Sequence, residues 1–358
     1  MPATIIDCDV HPYVNKLADV VAYMPQAWQE RFRSQNVELS GRSVHRYPHP
    51  AGGSLRKDAV PPGGGLPGSD PDYVASDLLD RYDLAAALLI PIQASAVSAW
   101  TDATRADVFT EAINRYVVEH WPSVDSRYRI CVTASPHDTE HAAAEVRRWR
   151  DAASVVAVSL PLLDTMMGNK HYYPIYEAAQ ECGMPIVVHP TGAEGSYLGA
   201  PTIAGGIPRT YAERHALVPQ VAQANLASLV FEGVFDRFPE LRIAFVEWGF
   251  SWLGPFMWRL DQEWRNFRSD VPWVKKPPSE YIHDAVKFTT QPFDDLSNPE
   301  DLWPFLDLID ADKTLMFSSD YPHYDNDDPH IVSRRLLPKK SREAITSKNA
   351  REMFSARL

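Results

Sequence analysis

Short apolar segments alternate with longer amphipathic segments along most of the chain. Eight of the apolar segments are three to seven residues long, and their hydrophobic positions do not follow a strict alternation. Strands of a parallel sheet that is covered on both faces show this pattern. The pattern therefore predicts eight buried parallel strands. They cover residues 4–6, 86–92, 129–133, 155–160, 185–188, 241–246, 286–290 and 314–317.

Helical periodicity predicts helices in the segments that separate these strands. Glycine and proline mark several of the helix ends, as Gly183 and Pro185 do just before the fifth strand. The predicted helices cover residues 106–120, 139–151, 173–182, 212–237 and 341–354. Strands that alternate with helices in this order predict an α/β fold, a single (β/α)8 barrel that takes up residues 1–358.

One region interrupts the alternation. Residues 46–72 are dense in proline and glycine, and the run PPGGG at 61–65 cannot continue a helix or a strand. We predict that residues 12–72 form an insertion after the first strand. In a barrel, such an insertion lies over the mouth at the carboxyl ends of the strands, where active sites are found.

Composition excludes several classes of function. The 358 residues include 35 Lys+Arg and 47 Asp+Glu, and the net charge of −12 disfavours nucleic-acid binding. No apolar run approaches the roughly 18 residues of a membrane span, and the first residues lack the pattern of a signal peptide, so we expect a cytoplasmic protein. Cys8, Cys131 and Cys182 are far apart and are predicted to be buried thiols. No glycine-rich nucleotide loop follows a predicted strand.

Residue types that bind metals follow several of the predicted strands. Asp9 and His11 end the first strand, His189 ends the fifth, Glu247 ends the sixth, and Asp320 ends the eighth. Because alternate side chains of a strand share a face, Asp9 and His11 can reach one ion, and His189 and Asp320 complete its shell. Each residue alone is more common as a hydrogen-bonded histidine or a turn cap. Their joint occurrence favours a metal site.

The motifs that contain these residues resemble those of the amidohydrolase superfamily. They read D-V-H at 9–11, V-V-H-P at 187–190, F-S-S-D-Y-P-H at 317–323 and K-N-A-R at 348–351. Within the superfamily they are most similar to the branch of aminocarboxymuconate semialdehyde decarboxylase and the resorcylate-type decarboxylases, over about residues 4–354. The resemblance implies a (β/α)8 barrel that holds one divalent cation through Asp9, His11, His189 and Asp320.

One position at which this chain differs from that branch bears on the identity of the metal. The aminocarboxymuconate enzyme has His-x-His where this chain has Asp9-x-His11, although resorcylate-type relatives carry a carboxylate there. The carboxylate makes the site richer in oxygen, so manganese and magnesium are admissible beside zinc, which is the first expectation. Binuclear members carry a bridging carboxylated lysine at the end of strand 4. The segment 155–160 contains no lysine, so we expect one metal ion.

A second departure concerns the reaction. The related decarboxylases have a histidine at the end of strand 6, where this chain has Glu247. A carboxylate near a divalent cation stays ionised, so Glu247 could act as the general base that takes a proton from water, with Asp320 as the alternative base. Alternatively, Glu247 caps the helix that starts near residue 251 or pairs with Arg259.

Three further residues are candidates for substrate binding. Arg259 aligns with the family arginine that binds a substrate carboxylate, or it pairs with Glu263 four residues along its helix. His323 donates a hydrogen bond to the substrate or closes its loop. Trp252 lines an aromatic pocket wall, and the tryptophan-rich stretch around it indicates a homodimer or larger homo-oligomer.

These residues lead to three functional hypotheses. The first is a mononuclear metal-dependent hydrolase that acts on a small, carboxylate-bearing or aromatic substrate through an activated water. The second is a metal-dependent non-oxidative decarboxylase of an aromatic or muconate-type acid, favoured by the order of the motifs and disfavoured by Glu247. The third is a non-catalytic binding barrel, which would leave a buried cluster of carboxylates without a purpose.

Overall fold

Eight parallel strands form the centre of the fold, and each pairs with the next strand along the chain. The computed structural model describes residues 4–34, 54–195, 199–294 and 296–354. The strands are β1 (Ile5–Val10), β2 (Leu84–Leu89), β3 (Tyr128–Thr133), β4 (Val155–Ser159), β5 (Ile186–Val188), β6 (Ile243–Phe245), β7 (Val286–Thr289) and β8 (Leu315–Met316). All eight predicted strands are confirmed, with ends that differ by a few residues.

The first and last strands close the sheet on itself. Val10 forms a parallel bridge with Tyr321, and the Cys8 N–H donates to the Phe317 carbonyl over 3.0 Å. The predicted single (β/α)8 barrel is therefore confirmed. Closure brings residues just beyond β1 and β8 to the same end of the barrel, together with those that follow β5 and β6.

Helices surround the barrel and supply the crossover connections. They are α1 (Leu17–Val21), α2 (Gln26–Ser34), α3 (Pro71–Val74), α4 (Ile92–Ser95), α5 (Ala103–Val124), α6 (Thr139–Arg148), α7 (Tyr173–Cys182), α8 (Tyr211–Leu217), α9 (Pro219–Phe231), α10 (Val234–Arg237), α11 (Leu253–Asn266), α12 (Pro278–Ala285), α13 (Trp303–Leu308), α14 (Ala311–Thr314), α15 (Pro329–Ile331) and α16 (Asn349–Phe354). No helix among the described residues is both long and apolar enough to cross a bilayer.

The predicted helix over 212–237 is divided into α8, α9 and α10. Pro219 starts α9, where its missing N–H costs no hydrogen bond. Gly233 has a left-handed φ of 72° between α9 and α10, a conformation that glycine adopts without strain. These two residues explain why one periodic segment forms three helices.

Two apolar layers hold the barrel together. The larger one lies between the strands and the helices, and a smaller one fills the barrel interior with residues such as Ile6, Leu88 and Met316. Cys8 and Cys131 belong to the interior layer, and all three cysteines are buried and free, as predicted.

Part of the predicted insertion lies against the loop that follows β8. Leu55 forms an antiparallel bridge with His323, and the N–H of Tyr324 donates to the Ser54 carbonyl over 2.8 Å. Residues 35–53 of the predicted insertion lie outside the described residues. The segment that starts at Ser54 therefore borders the end of the barrel where the polar strand ends meet.

Candidate metal centre and active site

Four buried side chains meet at the carboxyl end of the barrel. Asp9 is in β1 and His11 directly follows it, while His189 directly follows β5 and Asp320 lies beyond β8. One nitrogen or oxygen atom from each lies within 4.8 Å of the corresponding atoms of the other three. The structure thus brings the four predicted metal ligands together, from positions up to 311 residues apart (320 − 9).

The closest contacts in this cluster join imidazole nitrogens to carboxylate oxygens. His11 Nε2 lies 2.8 Å from Asp320 Oδ1 and 3.5 Å from Asp9 Oδ1. His189 Nε2 lies 3.4 Å from the other oxygen of Asp9. The four side chains are 0–1% exposed. Burial keeps water from screening these charges, so the cluster strongly attracts a cation.

The hydrogen bonds of both histidines suit metal binding. His11 Nδ1 donates to the Ile90 carbonyl over 3.0 Å, and His189 Nδ1 donates to the Pro190 carbonyl over 2.7 Å. A carbonyl can only accept, so Nδ1 carries the hydrogen and the neutral ring has its lone pair on Nε2, the atom that faces the cluster.

Unpaired polar atoms provide a second test of the fit. Both carboxylate oxygens of Asp9 and the Nε2 of His189 are buried and have no hydrogen-bond partner among the described residues. Burying such groups unpaired is costly, and a cation bound among them removes the cost. Burial alone would lower the pKa of His189, but the carboxylates of Asp9 and Glu247 raise it well above its ordinary value. The raised pKa reflects the negative charge around His189, which also favours a bound cation. The residues present therefore fit one divalent cation.

Backbone conformation directs two of the acidic side chains into the mouth. Glu247 and Asp320 have φ values of 64° and 63°, a left-handed conformation that is uncommon for residues other than glycine. The Glu247 N–H donates to Thr289 Oγ1, and the Asp320 N–H donates to the Asp9 carbonyl, both over 3.1 Å. Strain of this kind is retained where the surrounding structure enforces it, which is common at functional sites.

Glu247 adjoins the metal ligands. Its Oε2 lies 3.0 Å from His189 Nε2, and its side chain is 13% exposed. The residue before α11 is Trp252, and no side chain of the described part of the chain makes a capping hydrogen bond at that helix start. The alternative role of Glu247 as a helix cap is therefore wrong, and its predicted catalytic role stays a prediction.

His323 forms a hydrogen-bonded pair with the buried Asp320 beside the cluster. His323 Nδ1 lies 2.6 Å from Asp320 Oδ1, and His323 Nε2 lies 3.0 Å from the Tyr13 hydroxyl. Burial would lower the pKa of His323, but the Asp320 carboxylate raises it well above its ordinary value. Gln291 Nε2 donates to the other Asp320 oxygen over 3.3 Å. The pair is placed to hold a proton next to the metal ligands.

Sequence reasoning missed several of these neighbours. Tyr13 lies two residues beyond His11, and Gln291 follows β7, so position after a strand was the available signal for both. His215 and Asp325 were also missed. His215 Nε2 lies 4.0 Å from Glu247 Oε1 and 3.6 Å from Asp325 Oδ2. Neither stands directly at a strand end, so no local pattern marked them.

The structure does not bring Arg259 or Trp252 to the cluster. The Arg259 side chain is 65% exposed and pairs with Glu263 over 3.1 Å on α11, which is the alternative that helical spacing offered. Trp252 packs against Phe256 and against Phe288 of β7, in the layer between the barrel and the helices. Their predicted contact with substrate stays a prediction.

Comparison with known proteins identifies the family. The family model described as amidohydrolase matches residues 6–356, nearly the whole chain. The chain belongs to the amidohydrolase family. The resemblance that the sequence motifs carried is therefore confirmed.

Relatives in this family include decarboxylases. Gamma-resorcylate decarboxylase from Polaromonas sp. (strain JS666) is 25% identical over 308 residues, which cover 77% of this chain and 85% of that protein. 2-amino-3-carboxymuconate-6-semialdehyde decarboxylase from Dictyostelium discoideum is 28% identical over 152 residues, 42% of this chain and 38% of that protein.

A solved structure shows the same fold. Dihydroxybenzoic acid decarboxylase from Polaromonas sp. JS666, determined with bound manganese and the inhibitor 2-nitroresorcinol, matches with a TM-score of 0.64 and 19% identity. The match covers 99% of this chain and 98% of that chain. These relatives shift the balance between the two catalytic hypotheses toward the decarboxylase, against the initial preference for a hydrolase.

Proposed function

We propose that this protein is a metal-dependent non-oxidative decarboxylase of a small aromatic carboxylic acid. The observation that carries the proposal is the position of Asp320, which belongs to the metal-ligand cluster and is also paired with His323 over 2.6 Å. A site that both binds a cation and holds a proton beside it has the two functions that decarboxylation needs. The decarboxylases among the relatives support this choice.

The reaction replaces a carboxylate on a ring carbon by a hydrogen atom. The bond between the ring and the carboxylate breaks, its electron pair stays on the ring carbon, and a proton forms the new C–H bond while carbon dioxide leaves. Asp9, His11, His189 and Asp320 would hold the divalent cation. Its positive charge would bind the substrate carboxylate and a neighbouring phenolate oxygen.

The protein's own residues supply the proton. His323 donates through Nδ1 to Asp320, and its other nitrogen lies 3.0 Å from the Tyr13 hydroxyl. A proton on this pair can pass from His323 to Asp320 and from there to the ring carbon. Asp320 is fully buried and His323 is 11% exposed, so few water molecules compete for the proton.

The kind of metal and the assembly belong to the proposal as well. Two carboxylates and two imidazoles suit zinc, the first expectation, and also manganese, which the Polaromonas decarboxylase structure contains. We propose a homo-oligomer because Trp258 and Phe267 on or beside α11 are 60% and 55% exposed and can be covered by a second copy. Light scattering on the purified protein measures the assembly directly. The cytoplasmic location stays a prediction.

A hydrolase remains the second candidate because of Glu247. Its carboxylate lies next to His189, where a general base could take a proton from an attacking water. Under this hypothesis Glu247 is essential for turnover. In the decarboxylase, Glu247 has no share in delivering the proton.

The test combines metal analysis with product detection. We expect about one zinc or manganese ion per chain by mass spectrometry, and carbon dioxide release from at least one acid in a panel of hydroxybenzoates. The Asp320→Asn variant, which keeps the size of the side chain, should lose both. Hydrolysis of lactones or amides without carbon dioxide release would establish the second candidate instead. Absence of metal after reconstitution would refute both.

A further inference from the structure

A second group of polar side chains adjoins the metal cluster on the other side of Glu247. While Glu247 Oε2 contacts His189, its Oε1 lies 4.0 Å from His215 Nε2. His215 Nε2 in turn lies 3.6 Å from Asp325 Oδ2. The side chains of Glu247, His215 and Asp325 are 13%, 29% and 27% exposed, so a molecule that enters the mouth can reach them.

The separations within this group are informative. At 3.6 and 4.0 Å, the imidazole nitrogen is too far from either carboxylate oxygen for a direct hydrogen bond. Groups held at such distances are commonly bridged by a small polar atom, either of water or of a ligand. For these gaps to persist, packing must restrain the three side chains.

The structure provides that restraint for His215. The preceding residue, Arg214, is buried and donates to Glu194 Oε2 over 2.8 Å. Glu194 is fully buried and accepts hydrogen bonds from the N–H and the hydroxyl of Thr191, two residues after the ligand His189. This buried clamp attaches α8 to the end of β5. The His215 ring also stacks on Tyr211, with ring centroids 5.8 Å apart.

The charges of the group select the chemistry of its ligand. Two carboxylates accept hydrogen bonds from O–H or N–H groups, whereas a second carboxylate on the substrate would be repelled by both. His215 can donate from Nε2 to an oxygen placed between them. A hydroxyl group suits this set, because it can accept a hydrogen bond from His215 and donate its own hydrogen to one of the two carboxylates.

We propose that Glu247, His215 and Asp325 form a subsite that binds a hydroxyl group on the substrate ring. The subsite selects aromatic acids that carry this hydroxyl in addition to the groups bound at the metal. It disfavours acids that carry a second carboxylate at this position. This inference rests on the proposed function for the identity of the substrate, but binding measurements can test it without turnover.

Calorimetric titration of the metal-containing protein with two related compounds provides the test. 2-nitroresorcinol has two hydroxyl groups, whereas 2-nitrophenol has one and is otherwise the same. A hydroxyl that bonds to charged groups is expected to lower the Kd about tenfold for 2-nitroresorcinol relative to 2-nitrophenol. In His215→Phe, which retains a ring to stack on Tyr211, and in Asp325→Asn, the ratio should fall to about two or less.

A matched control uses a histidine outside the mouth. His141 on α6 is exposed and pairs with Glu111, so His141→Phe should keep the ratio of the unmodified protein. Metal content and the thermal midpoint of each variant show whether it is folded and loaded. If His215→Phe does not fold, the ratio of the two Kd values in Asp325→Asn is the test of the subsite.

Three results would overturn the subsite. They are equal affinity of the unmodified protein for both compounds, an unchanged ratio in the folded variants, and binding of neither compound. These results differ from a failure of the proposed function. If no hydroxybenzoate releases carbon dioxide but the ratio collapses as expected, the subsite stands and the reaction is wrong. If carbon dioxide is released but the ratio does not respond, the reaction stands and the subsite is wrong.

Discussion

The mouth of the barrel has a floor and a rim that differ in their physical character. The floor consists of Asp9, His11, His189 and Asp320, whose side chains are 0–1% exposed. The rim consists of Glu247, His215 and Asp325, partly exposed and 3.6 to 4.0 Å apart around His215. A dry, closely spaced set of donors suits an ion, whereas an open set with gaps suits a molecule that enters and leaves.

The two regions also differ in the parts of the fold that support them. Floor residues lie in or just beyond β1, β5 and β8, and closure of the barrel determines their separation. His215 lies on α8, which the buried contact of Arg214 with Glu194 holds in place, and Asp325 lies on the loop after β8. In barrels, loops of this kind determine which substrate is used, while the strand ends supply the common chemistry.

The largest effect is expected from removing a floor residue. Asp320→Ala deletes a ligand and leaves His11 and His323 without their carboxylate partner. We expect loss of the bound metal and at least about a thousandfold decrease in kcat, because cation chemistry and proton transfer fail together. Metal analysis and a turnover assay measure both. The exposed Asp151→Ala is the control, and retention of metal by Asp320→Ala would contradict the assigned ligand set.

The buried ion pair of Arg214 and Glu194, which attaches α8 to the end of β5, should contribute to the stability of the fold. Glu194→Gln leaves the buried Arg214 without an ionised partner, and we expect the free energy of unfolding to fall by about 3 kcal/mol. Denaturant unfolding measures this change. The exposed pair of Arg147 and Glu181 offers a control, since Glu181→Gln should cost roughly 0.5 kcal/mol or less. Equal effects of the two substitutions would show that the clamp is unimportant.

Removing His323 from its pair with Asp320 should reduce turnover without loss of the metal ion bound at the floor. His323→Phe keeps a ring beside His11 but cannot donate to Asp320. We expect kcat to fall about a hundredfold with metal content unchanged, because a general acid contributes at least this factor. Steady-state kinetics and metal analysis on the same samples test the expectation. Unchanged kcat in a metal-loaded variant would remove His323 from the proton path.

Glu247→Gln separates the two candidate reactions. In the decarboxylase, Glu247 binds substrate at the rim, so we expect mainly an increase in KM of about tenfold. In the hydrolase, loss of the base would lower kcat by a hundredfold or more. The separate changes in kcat and KM decide between the two roles. A collapse of kcat for carbon dioxide release would place Glu247 in the proton path after all.

The smallest effect is expected at Arg259. Its exposed ion pair with Glu263 should contribute only a few tenths of a kcal/mol. We expect Arg259→Ala to change kcat/KM by less than about twofold. A large increase in KM would restore the substrate-binding role predicted from the sequence. Repeating the assay over a range of protein concentrations shows whether such an effect depends on assembly.

Local patterns in the sequence were sufficient for the barrel and its floor. Buried parallel strands appear as short apolar runs because both of their faces are covered, so each strand could be located without knowledge of its neighbours. Asp9 and His11 are two residues apart on one strand, and that spacing places both on the same face. His189 directly follows β5, and Asp320 lies four residues beyond the end of β8. A barrel gathers such residues at one end whatever the intervening helices contain.

Only the tertiary structure determines which residues come together at the rim. Glu247 is near His215 because α8 is attached to the end of β5 by a buried ion pair, and no periodicity encodes that contact. The division of the helix over 212–237, by contrast, follows from Pro219 and Gly233 within that segment. Strand ends repeat a geometry that all parallel barrels share, so a short pattern predicts it. Loop and helix contacts depend on three-dimensional packing, which appears only when the chain is folded.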